Sequence, residues 1–344
     1  MSQLTTTEIV LPGIVEPEAL QIRDRRLAPP SAGQALVRVE ATGVSFAEQQ
    51  MRRGKYYDQP PFPFTPGYDL VGRVEAVGPG TDPSLVGTRV AAVTKIGGWA
   101  TAALVDAADL VPVPAAIDPA AAETVVVNGV TAWQMLHRRA KVRPGGTILV
   151  HGANGGVGST LTQLARHHGI RVVGTASPRH HDALRALGAE PLDYRSPDLA
   201  AQARSLSPRG YDAVFDHVGG PGIVDSWRLL APGGTLVSYG TAATRDVAGN
   251  ARLPVLALFG RLLWWNALPN GRGATFYNLW AGRRNRAAFQ ARLREDLTQV
   301  FALLADGSLT AQVAARLPLR DAAAALRLAE SGTVAGKVVL VPSL

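Results

Sequence analysis

The chain has 344 residues, of which 47% are hydrophobic and 18% are charged, a balance that excludes a disordered or fibrous protein. Its formal net charge of +8 comes mostly from arginines scattered along the chain, whereas a nucleic-acid-binding surface needs them clustered, so no nucleic-acid partner is expected. The chain contains no cysteine, which excludes disulfides, thiolate nucleophiles and cysteine-ligated zinc.

The N-terminal part of the chain has the texture of a β domain. From Glu8 to about Ala122, short apolar runs alternate with Gly and Pro turns, which predicts an irregular β-barrel.

The segment Met1–Val10 lacks a basic stretch followed by an apolar one. No secretory leader is therefore expected, and the predicted location is the cytoplasm.

After Val125 the pattern changes to apolar strands separated by Ala- and Leu-rich helical stretches. Strands are predicted at residues 147–152, 171–175, 191–194, 213–219, 235–240 and 274–279. Helices are predicted between them at residues 157–168, 179–187, 197–206 and 222–230. This alternation is typical of a doubly wound parallel sheet, so the predicted fold class is α/β.

The C-terminal part returns to mixed helices and strands. An amphipathic helix is predicted over Arg286–Ala305, followed by a strand at 312–317, a helix at 320–330 and a closing strand at 336–342. Since six strands complete a dinucleotide-binding sheet, we expect this tail to pack on the N-terminal barrel. The predicted domains are then residues 1–124 with 283–344, and residues 125–282.

The most apolar stretch of the chain is the segment LPVLALFGRLLWW, residues 253–265. It is too short to span a bilayer, and Arg261 interrupts it. A core or interface helix is therefore favoured over contact with a membrane.

The strongest motif is the glycine-rich turn at residues 150–158, VHGANGGVG, which follows the strand TILV and opens a helix. Its first glycine permits a tight turn, the middle pair lets the backbone approach a pyrophosphate, and the last permits close helix packing. The helix N-terminus adds unpaired N–H groups and a favourable dipole for an anion. The alternative is a glycine-rich turn that binds nothing. The predicted dinucleotide contacts are Gly152, Asn154, Gly155, Gly156, Val157 and Gly158.

The end of the second strand of this domain distinguishes the two nicotinamide cofactors. An acidic residue there holds the ribose hydroxyls of NAD, but residues 174–180 read GTASPRH and contain none. Ser177, Arg179 and His180 instead offer hydrogen-bond donors and positive charge to a 2′-phosphate. These residues favour NADPH, although Arg179 has the alternative role of a solvated residue at the start of a helix.

Together these motifs resemble the zinc-free quinone oxidoreductase branch of the medium-chain dehydrogenase/reductase superfamily, which includes zeta-crystallin and vesicle amine transport protein. The resemblance covers essentially the whole chain. The matching segments are GVSFAEQQMRRGKYY, FPFTPGYDLVGRVEAVGPG, VVNGVTAW, VRPGGTILVHGANGGVG, GTASPRHHDALRALGAEPLDYR, LLAPGGTLVSYGTA and AGKVVLVP. It implies a GroES-like catalytic domain at 1–124 and 283–344, a Rossmann dinucleotide-binding domain at 125–282, and a cofactor held between them.

The resemblance also implies roles along the rest of the cofactor. Thr131 resembles the threonine beside the nicotinamide ribose, and Asn128 lies in the same segment. Tyr194 resembles the tyrosine near the adenosine phosphate. The other implied contacts are a strand end that flanks the ribose and a loop that reaches the carboxamide, namely Ser238, Tyr239 and Gly240, and Phe276, Tyr277 and Asn278.

Some positions depart from the family's pattern. Ser45 replaces the family's usual Asn, which bears on substrate polarity, and His180 replaces the usual Lys facing the 2′-phosphate, which weakens the NADPH preference. The Gly-His-Glu stretch of zinc-dependent relatives reads Gly67-Tyr68-Asp69 here. The histidine pairs 167–168 and 180–181 occupy adjacent positions that point in different directions, so no metal site is predicted.

Without a metal to polarise it, the substrate must already be electrophilic. We predict hydride transfer from NADPH to a quinone or to a carbonyl-activated alkene, such as an enone or an enoyl thioester, whose oxygen is stabilised by hydrogen bonds. Tyr56 is the first candidate donor to that oxygen, followed by Ser45 and Tyr68. Each of these is alternatively a packed tyrosine or a turn serine, and a solvent proton is a further alternative.

Two other functions stay open. One is an NADPH-binding protein with incidental turnover, and the other is a specialised reductase of secondary metabolism that uses the same cofactor site.

The apolar edge strand near Ala274–Leu279 predicts a homodimer, because an unpaired edge invites a symmetric partner. The resemblance implies a homodimer as well.

Overall fold

The structure, a computed structural model, describes residues 4–244 and 252–344. The described residues form two compact units. One unit contains the chain up to Val130 together with Gly282–Leu344, and the other is Thr131–Ala281. The predicted domain boundaries lay between residues 124 and 125 and between residues 282 and 283. In the structure the chain passes from one unit to the other between residues 130 and 131 and between residues 281 and 282.

The first third of the described chain consists mostly of strands, and strands alternate with helices in the rest. The strands are β1 (Leu4–Val10), β2 (Gln21–Leu27), β3 (Gln34–Val44), β4 (Asp69–Val77), β5 (Arg89–Val93), β6 (Ala102–Asp106), β7 (Val111–Pro112), β8 (Thr147–Val150), β9 (Arg171–Ala176), β10 (Glu190–Asp193), β11 (Tyr211–Asp216), β12 (Leu230–Ser238), β13 (Gly273–Phe276), β14 (Val313–Pro318) and β15 (Lys337–Val341).

The longest helices are α8 and α9. The helices are α1 (Phe46–Arg52), α2 (Pro119–Thr124), α3 (Val126–Trp133), α4 (Gly156–His167), α5 (His181–Leu187), α6 (Leu199–Leu206), α7 (Ile223–Arg228), α8 (Arg252–Ala267), α9 (Arg286–Ala305) and α10 (Ala322–Glu330).

The unit that contains both chain ends is built on a sheet in the order β14-β15-β3-β4-β5-β7, with β6 branching from β3. Most of its pairs are antiparallel, and β3 bulges between Leu36 and Val37 and again between Val39 and Ala41. Bulges bend a strand and increase its twist, which gives the irregular β domain predicted from the sequence. The closing strand β15 pairs with β3, so the C-terminal tail packs on the N-terminal β domain as predicted.

The other unit contains a parallel sheet in the order β10-β9-β8-β11-β12-β13. The strand order reverses between β8 and β11, as in a doubly wound fold. Adjacent strands contribute Leu149, Val173, Val214 and Leu236 to one buried cluster. These strands are apolar because helices cover both faces of such a sheet.

Several predicted strand boundaries in this sheet were wrong. The strands predicted at 147–152 and 213–219 run over Thr147–Val150 and Tyr211–Asp216, and β12 and β13 differ as well. Strand β12 begins at Leu230 rather than 235, because Leu230 pairs with Tyr211 ahead of an irregular stretch of the ladder. The predicted strand 274–279 ends at Phe276. The chain turns there, since the side chain of Asn278 accepts a hydrogen bond from the backbone N–H of Trp280 at 2.9 Å.

Helix α8 contains the most apolar stretch of the sequence, and part of it lies in the core as predicted. Its Leu258, Leu262 and Trp265 pack in the sheet's cluster, while Leu263 and Trp264 are exposed. Within the described residues, no helix is long and apolar enough to cross a membrane.

Candidate functional site

The glycine-rich turn lies at the carboxyl end of β8, at the reversal of strand order where open α/β sheets bind their ligands. Gly152 adopts φ +64°, in the left-handed region that favours glycine. The turn is held from β9, where Thr175 accepts the N–H of Gly152 on Oγ1 at 3.2 Å and the N–H of Ala153 on its carbonyl at 3.0 Å.

Two glycines of this turn differ in their surroundings. A Cβ at Gly158 would lie 2.4 Å from the carbonyl oxygen of Gly152, so a glycine is required there for α4 to pack. A Cβ at Gly155 would meet only that same oxygen, at 3.4 Å, so Gly155 faces open space. No side chain caps the start of α4, which leaves backbone N–H groups of its first turn available to an anion. A dinucleotide's pyrophosphate fits this open space and these donors.

The end of β9 carries the residues predicted to select the cofactor. Ser177 and His180 are both buried, at 8% and 7% exposure, while Tyr194 at the end of β10 is 54% exposed. Of the carboxylates in the neighbouring segments, Asp182 pairs with Arg185 at 2.6 Å, and Asp193 accepts the backbone N–H of Arg195 at 3.0 Å. The end of β9 carries the hydroxyl of Ser177, followed by Arg179 and His180.

Arg195 is a functional candidate that the sequence reasoning missed. Its guanidinium lies 5.2 Å from the centre of the Tyr194 ring and donates to the hydroxyl of Ser177 at 3.1 Å. It thus adds a cation beside Ser177, which was predicted together with Arg179 and His180 to select the cofactor. The signal was present, because Arg195 directly follows Tyr194 in the segment LDYR.

The end of β12 places Ser238 in a fully buried position. Among the described residues, its hydroxyl has no hydrogen-bond partner, which suits a position that meets a ligand. Tyr239 donates its backbone N–H to the carbonyl of Asp216 at 3.0 Å. A Cβ at Gly240 would lie 2.7 Å from the carbonyl oxygen of His217, so this glycine is required by packing.

The segment after β13 joins the end of β12, since the N–H of Tyr277 donates to the carbonyl of Ser238 at 2.7 Å. The Tyr277 hydroxyl donates to the side chain of Gln134 at 3.0 Å, and Phe276 contacts the ring of Phe259. The structure thus brings Ser238 and Tyr277 together, and their contacts with the cofactor stay predictions. The side chain of Asn278 supports the local turn.

The two candidates on α3 are buried polar residues. Asn128 is 6% exposed, and its amide donates to the carbonyl of Thr124 at 3.0 Å. Thr131 is 8% exposed. Both roles implied by the resemblance stay predictions.

Ser45 has a local structural role as the N-cap of α1. Its hydroxyl accepts the N–H of Ala47 at 3.1 Å and donates to Glu48, whose carboxylate accepts the N–H of Ser45 at 2.9 Å. This reciprocal capping box accounts for a serine at this position.

Tyr56 and Tyr68 lie side by side, with their hydroxyl oxygens 2.7 Å apart. Burial, followed by the charge of Tyr68, raises the pKa of Tyr56 far above its ordinary value of 10. Tyr56 therefore stays protonated at physiological pH. It is suited to donate a hydrogen bond or a proton and unsuited to act as a base.

Asp69, in the segment that replaces Gly-His-Glu, belongs to a buried ionic cluster. Lys337 Nζ lies 2.7 Å from Asp69 Oδ2 and 2.7 Å from Glu123 Oε1, and all three side chains are at most 2% exposed. Asp69 also accepts the backbone N–H of Val127 at 2.9 Å. Burial raises the pKa of Glu123, whereas the pKa of Lys337 is lowered by burial and raised more strongly by the two carboxylates.

The described residues contain no group of three or more His, Asp or Glu side chains placed to hold a metal ion. One histidine contact was not predicted: the rings of His137 and His168 have centroids 4.4 Å apart, with Trp133 beside His137. The contact could not be read from the sequence, because His137 follows α3 and His168 follows α4, 31 positions further along the chain.

Comparison with protein families gives two matches. Residues 31–115 match the alcohol dehydrogenase GroES-like domain, and residues 187–340 match a family described as zinc-binding dehydrogenase. The second description contrasts with a chain that contains no cysteine.

Similar proteins are known across the whole length of the chain. The synaptic vesicle membrane protein VAT-1 homolog of Rattus norvegicus is 31% identical, over 97% of this chain and 83% of that protein. The quinone oxidoreductase structure from Pseudomonas syringae is 28% identical with a TM-score of 0.84, covering 98% of this chain and 100% of that one. A mycobacterial protein whose structure was solved in complex with NADPH is 29% identical with a TM-score of 0.82, again over 98% and 100%.

Proposed function

The chain belongs to the zinc-free quinone oxidoreductase branch of the medium-chain dehydrogenase/reductase superfamily, and on this basis we propose that it transfers hydride from NADPH to a quinone or a carbonyl-activated alkene. The similar mycobacterial structure in complex with NADPH supports the choice of cofactor. Similarity to a quinone oxidoreductase supports the substrate class.

The observation that carries the proposal is the glycine-rich turn with the cationic group beside it. Gly155 faces open space at the uncapped start of α4, and Arg195 and Ser177 are hydrogen-bonded to one another at the end of β9. The turn suits a pyrophosphate. The cation suits the additional phosphate that distinguishes NADPH from NADH.

When bound, NADPH supplies the hydride. The N–H groups at the start of α4 would hold its pyrophosphate, and Ser177, Arg179 and His180, together with Arg195, would hold the 2′-phosphate. Ser238, whose buried hydroxyl lacks a partner among the described residues, would lie beside the cofactor. The protein's own residues therefore bind and orient the cofactor.

Tyr56 is the proposed electrophilic partner of the substrate. As hydride adds to an activated alkene, negative charge develops on the carbonyl oxygen, and a phenol that stays protonated stabilises that charge by donating a hydrogen bond. The neighbouring Tyr68 hydroxyl, 2.7 Å away, orients the Tyr56 hydroxyl. Saturation of the alkene is completed by a proton from Tyr56 or from water.

Steady-state oxidation of NADPH with a panel of quinones and enones tests the proposal. Substrate-dependent NADPH oxidation is expected, and saturated ketones serve as the matched negative control because they lack the activated double bond. Tight NADPH binding with no turnover on any quinone or enone would favour an NADPH-binding protein with incidental turnover. Turnover confined to saturated ketones would contradict the proposed substrate class.

The homodimer and the cytoplasmic location are further parts of this proposal. Strand β13 lies at the edge of its sheet, as the dimer prediction required. However, the side chain of Asn266 bonds both the N–H and the carbonyl of Ala274, at 2.8 and 2.6 Å. A symmetric contact at this edge would therefore involve residues other than Ala274.

A further inference from the structure

A row of polar side chains lies beneath the phosphate-binding turn and connects three strands and a helix. Its steps are Thr175 Oγ1 to His151 Nδ1 at 3.3 Å, His151 Nε2 to Ser226 Oγ at 3.1 Å, and Ser226 Oγ to Asp216 Oδ2 at 2.7 Å. Gly152 of the turn joins the row through its N–H on Thr175 Oγ1, at 3.2 Å. Thr175 and Asp216 lie near the ends of β9 and β11, His151 follows β8 and Ser226 lies in α7, but the prediction gave them no role.

The direction of each hydrogen bond follows from the carboxylate end. Asp216 accepts on both oxygens, since the N–H groups of Val218 and Gly219 donate to Oδ1. Ser226 must therefore donate its single hydroxyl hydrogen to Asp216 Oδ2. Having no second hydrogen, Ser226 accepts from His151, and His151 carries its proton on Nε2.

The same reasoning fixes the other half of the row. Burial lowers the pKa of His151, with a smaller opposing influence from Asp216, so the imidazole is neutral near pH 7. A neutral ring with Nε2–H has a lone pair on Nδ1, which accepts the hydroxyl hydrogen of Thr175. Thr175 Oγ1 in turn accepts the N–H of Gly152. Each donor in the row thus meets one acceptor.

The backbone of His151 is held as well. Its N–H donates to the carbonyl of Phe215 at 3.0 Å, and its carbonyl accepts from His217 Nδ1 at 3.1 Å. The His217 ring lies against the turn, because a Cβ at Gly152 would be 2.3 Å from its Cε1. The first residue of the turn therefore has little room to move.

We infer that His151, locked as its Nε2–H tautomer, is a positioning residue that fixes the phosphate-binding turn through Thr175 and thereby sets affinity for the cofactor. The inference rests on the proposed function, because the ligand it affects is the proposed NADPH. It assigns no contact between His151 and the cofactor. His151 acts on the turn indirectly: it orients the hydroxyl of Thr175, which accepts the N–H of Gly152 and so fixes the backbone conformation at the first glycine of the turn.

The first test is the variant Thr175→Val, which keeps the side-chain shape but removes the acceptor of the Gly152 N–H. We expect the Kd and KM for NADPH to rise about tenfold, a loss of about 1.4 kcal/mol, with kcat at saturating NADPH within about twofold of wild type. The matched control is Ser207→Ala, because Ser207 is also buried in the same unit and its hydroxyl donates to the carbonyl of Gly210 at 2.6 Å, away from the turn. It should leave the Kd unchanged.

A pair of variants at His151 separates positioning from packing. In His151→Asn the side-chain oxygen replaces Nδ1 and keeps the acceptor for Thr175, whereas in His151→Gln the amide nitrogen replaces Nε2 and keeps only the donor to Ser226. We expect the Kd for NADPH to stay within about threefold in the Asn variant and to rise about tenfold in the Gln variant. Equal losses in the two variants would overturn the inference in favour of simple packing.

The tautomer is measured without any cofactor. With 15N-labelled histidine, the long-range imidazole correlations of the resonance lost in His151→Gln should show a proton on Nε2 and none on Nδ1. A proton on Nδ1 would overturn the inference even if NADPH binds tightly. Conversely, wild-type protein that shows the expected tautomer but does not bind NADPH would refute the proposed function and leave the locked tautomer standing.

Discussion

The two units hold their buried polar groups in opposite ways. Beneath the phosphate-binding turn, His151 and Thr175 belong to a row in which neutral groups pass hydrogen bonds to one carboxylate. In the other unit, one ammonium group faces two carboxylates, and Glu123 Oε2 lacks a hydrogen-bond partner among the described residues. A row of neutral groups has a small desolvation penalty and fixes the direction of each hydrogen bond. In a buried ionic cluster, the loss of any one charged group leaves another buried charge without its partner.

The ionic cluster joins segments that are far apart in sequence. Lys337 belongs to β15, Asp69 begins β4, and Glu123 lies in α2. The backbone around it is closely packed, because a Cβ at Gly43 would lie 2.1 Å from Lys337 Cε. Loss of the cluster is therefore expected to lower the free energy of unfolding, whereas loss of the polar row beneath the turn is expected to weaken binding of the cofactor.

The largest expected effect is on the ionic cluster. In Lys337→Met, two buried carboxyl groups lose their common cation, and the free energy of unfolding should fall by about 3–5 kcal/mol. Urea denaturation measures this. Lys95→Met is the control, since Lys95 pairs with the exposed Asp58 and its loss should change stability by at most about 1 kcal/mol. If Lys337→Met and Lys95→Met lowered the free energy of unfolding by similar amounts, the buried ionic cluster would not be a special source of stability.

The next effect is on the turn. Gly155 has extended backbone, φ −75° and ψ 170°, so Gly155→Val should fold normally while its side chain fills the space proposed for the pyrophosphate. We expect NADPH affinity to fall about 100-fold, or about 2.7 kcal/mol, in a fluorescence titration. The contrasting variant is Gly158→Val, whose Cβ would lie 2.4 Å from the Gly152 carbonyl oxygen and should lower the melting temperature. NADPH binding that survives Gly155→Val would place the cofactor elsewhere.

A smaller effect, on the turnover rate, is expected at Tyr56, in the unit that contains both chain ends. Tyr56→Phe removes one hydroxyl and keeps the ring, so kcat should fall about tenfold while the Kd for NADPH stays unchanged. Steady-state kinetics with an enone measures the first, and titration the second. An unchanged kcat would leave Tyr68, a backbone N–H or water as the donor and make Tyr56 a packing residue.

The smallest effect concerns pH, and Glu123 and His151 should contribute to it with opposite signs. Burial raises the pKa of Glu123 above 4.5, so the folded state binds more protons than the unfolded state, and this group's contribution to stability falls as pH rises from about 4.5 through the folded pKa. His151 has a lowered pKa, so its contribution rises with pH up to about 6.5.

Glu123→Gln should therefore flatten the loss of stability at rising pH, by at most about 1.4 kcal/mol per pH unit. Melting temperatures measured across the pH range give the slope. Glu75→Gln, in a surface ion pair with Arg38, is the matched control. A slope that is the same in Glu123→Gln and wild type would show that Glu123 is not the group responsible.

Much of the fold could be predicted because its signals are local. The apolar runs that became β8 and β9 and the glycine-rich turn between β8 and α4 are visible within about ten residues of sequence. The contacts that could not be predicted join distant residues. Lys337 lies 268 positions from Asp69, and His151 lies 75 from Ser226, so their pairing depends on strand register and helix placement.

The candidate site shows the same division. The phosphate turn and the uncapped start of α4 follow from one motif, whereas the bond from Arg195 to Ser177 depends on how β10 aligns with β9. Ser45 shows the reverse case, since the sequence offered it as a catalytic candidate and the structure gives it a capping role.

The most direct test of the central claim is the ratio of NADH to NADPH dissociation constants, measured by fluorescence titration of the wild-type protein. The hydroxyl and cations at the end of β9 predict that NADPH binds at least about tenfold more tightly, or about 1.4 kcal/mol, and that Arg195→Ala lowers this ratio without weakening NADH binding. Equal affinities for the two cofactors in the wild-type protein would contradict the account.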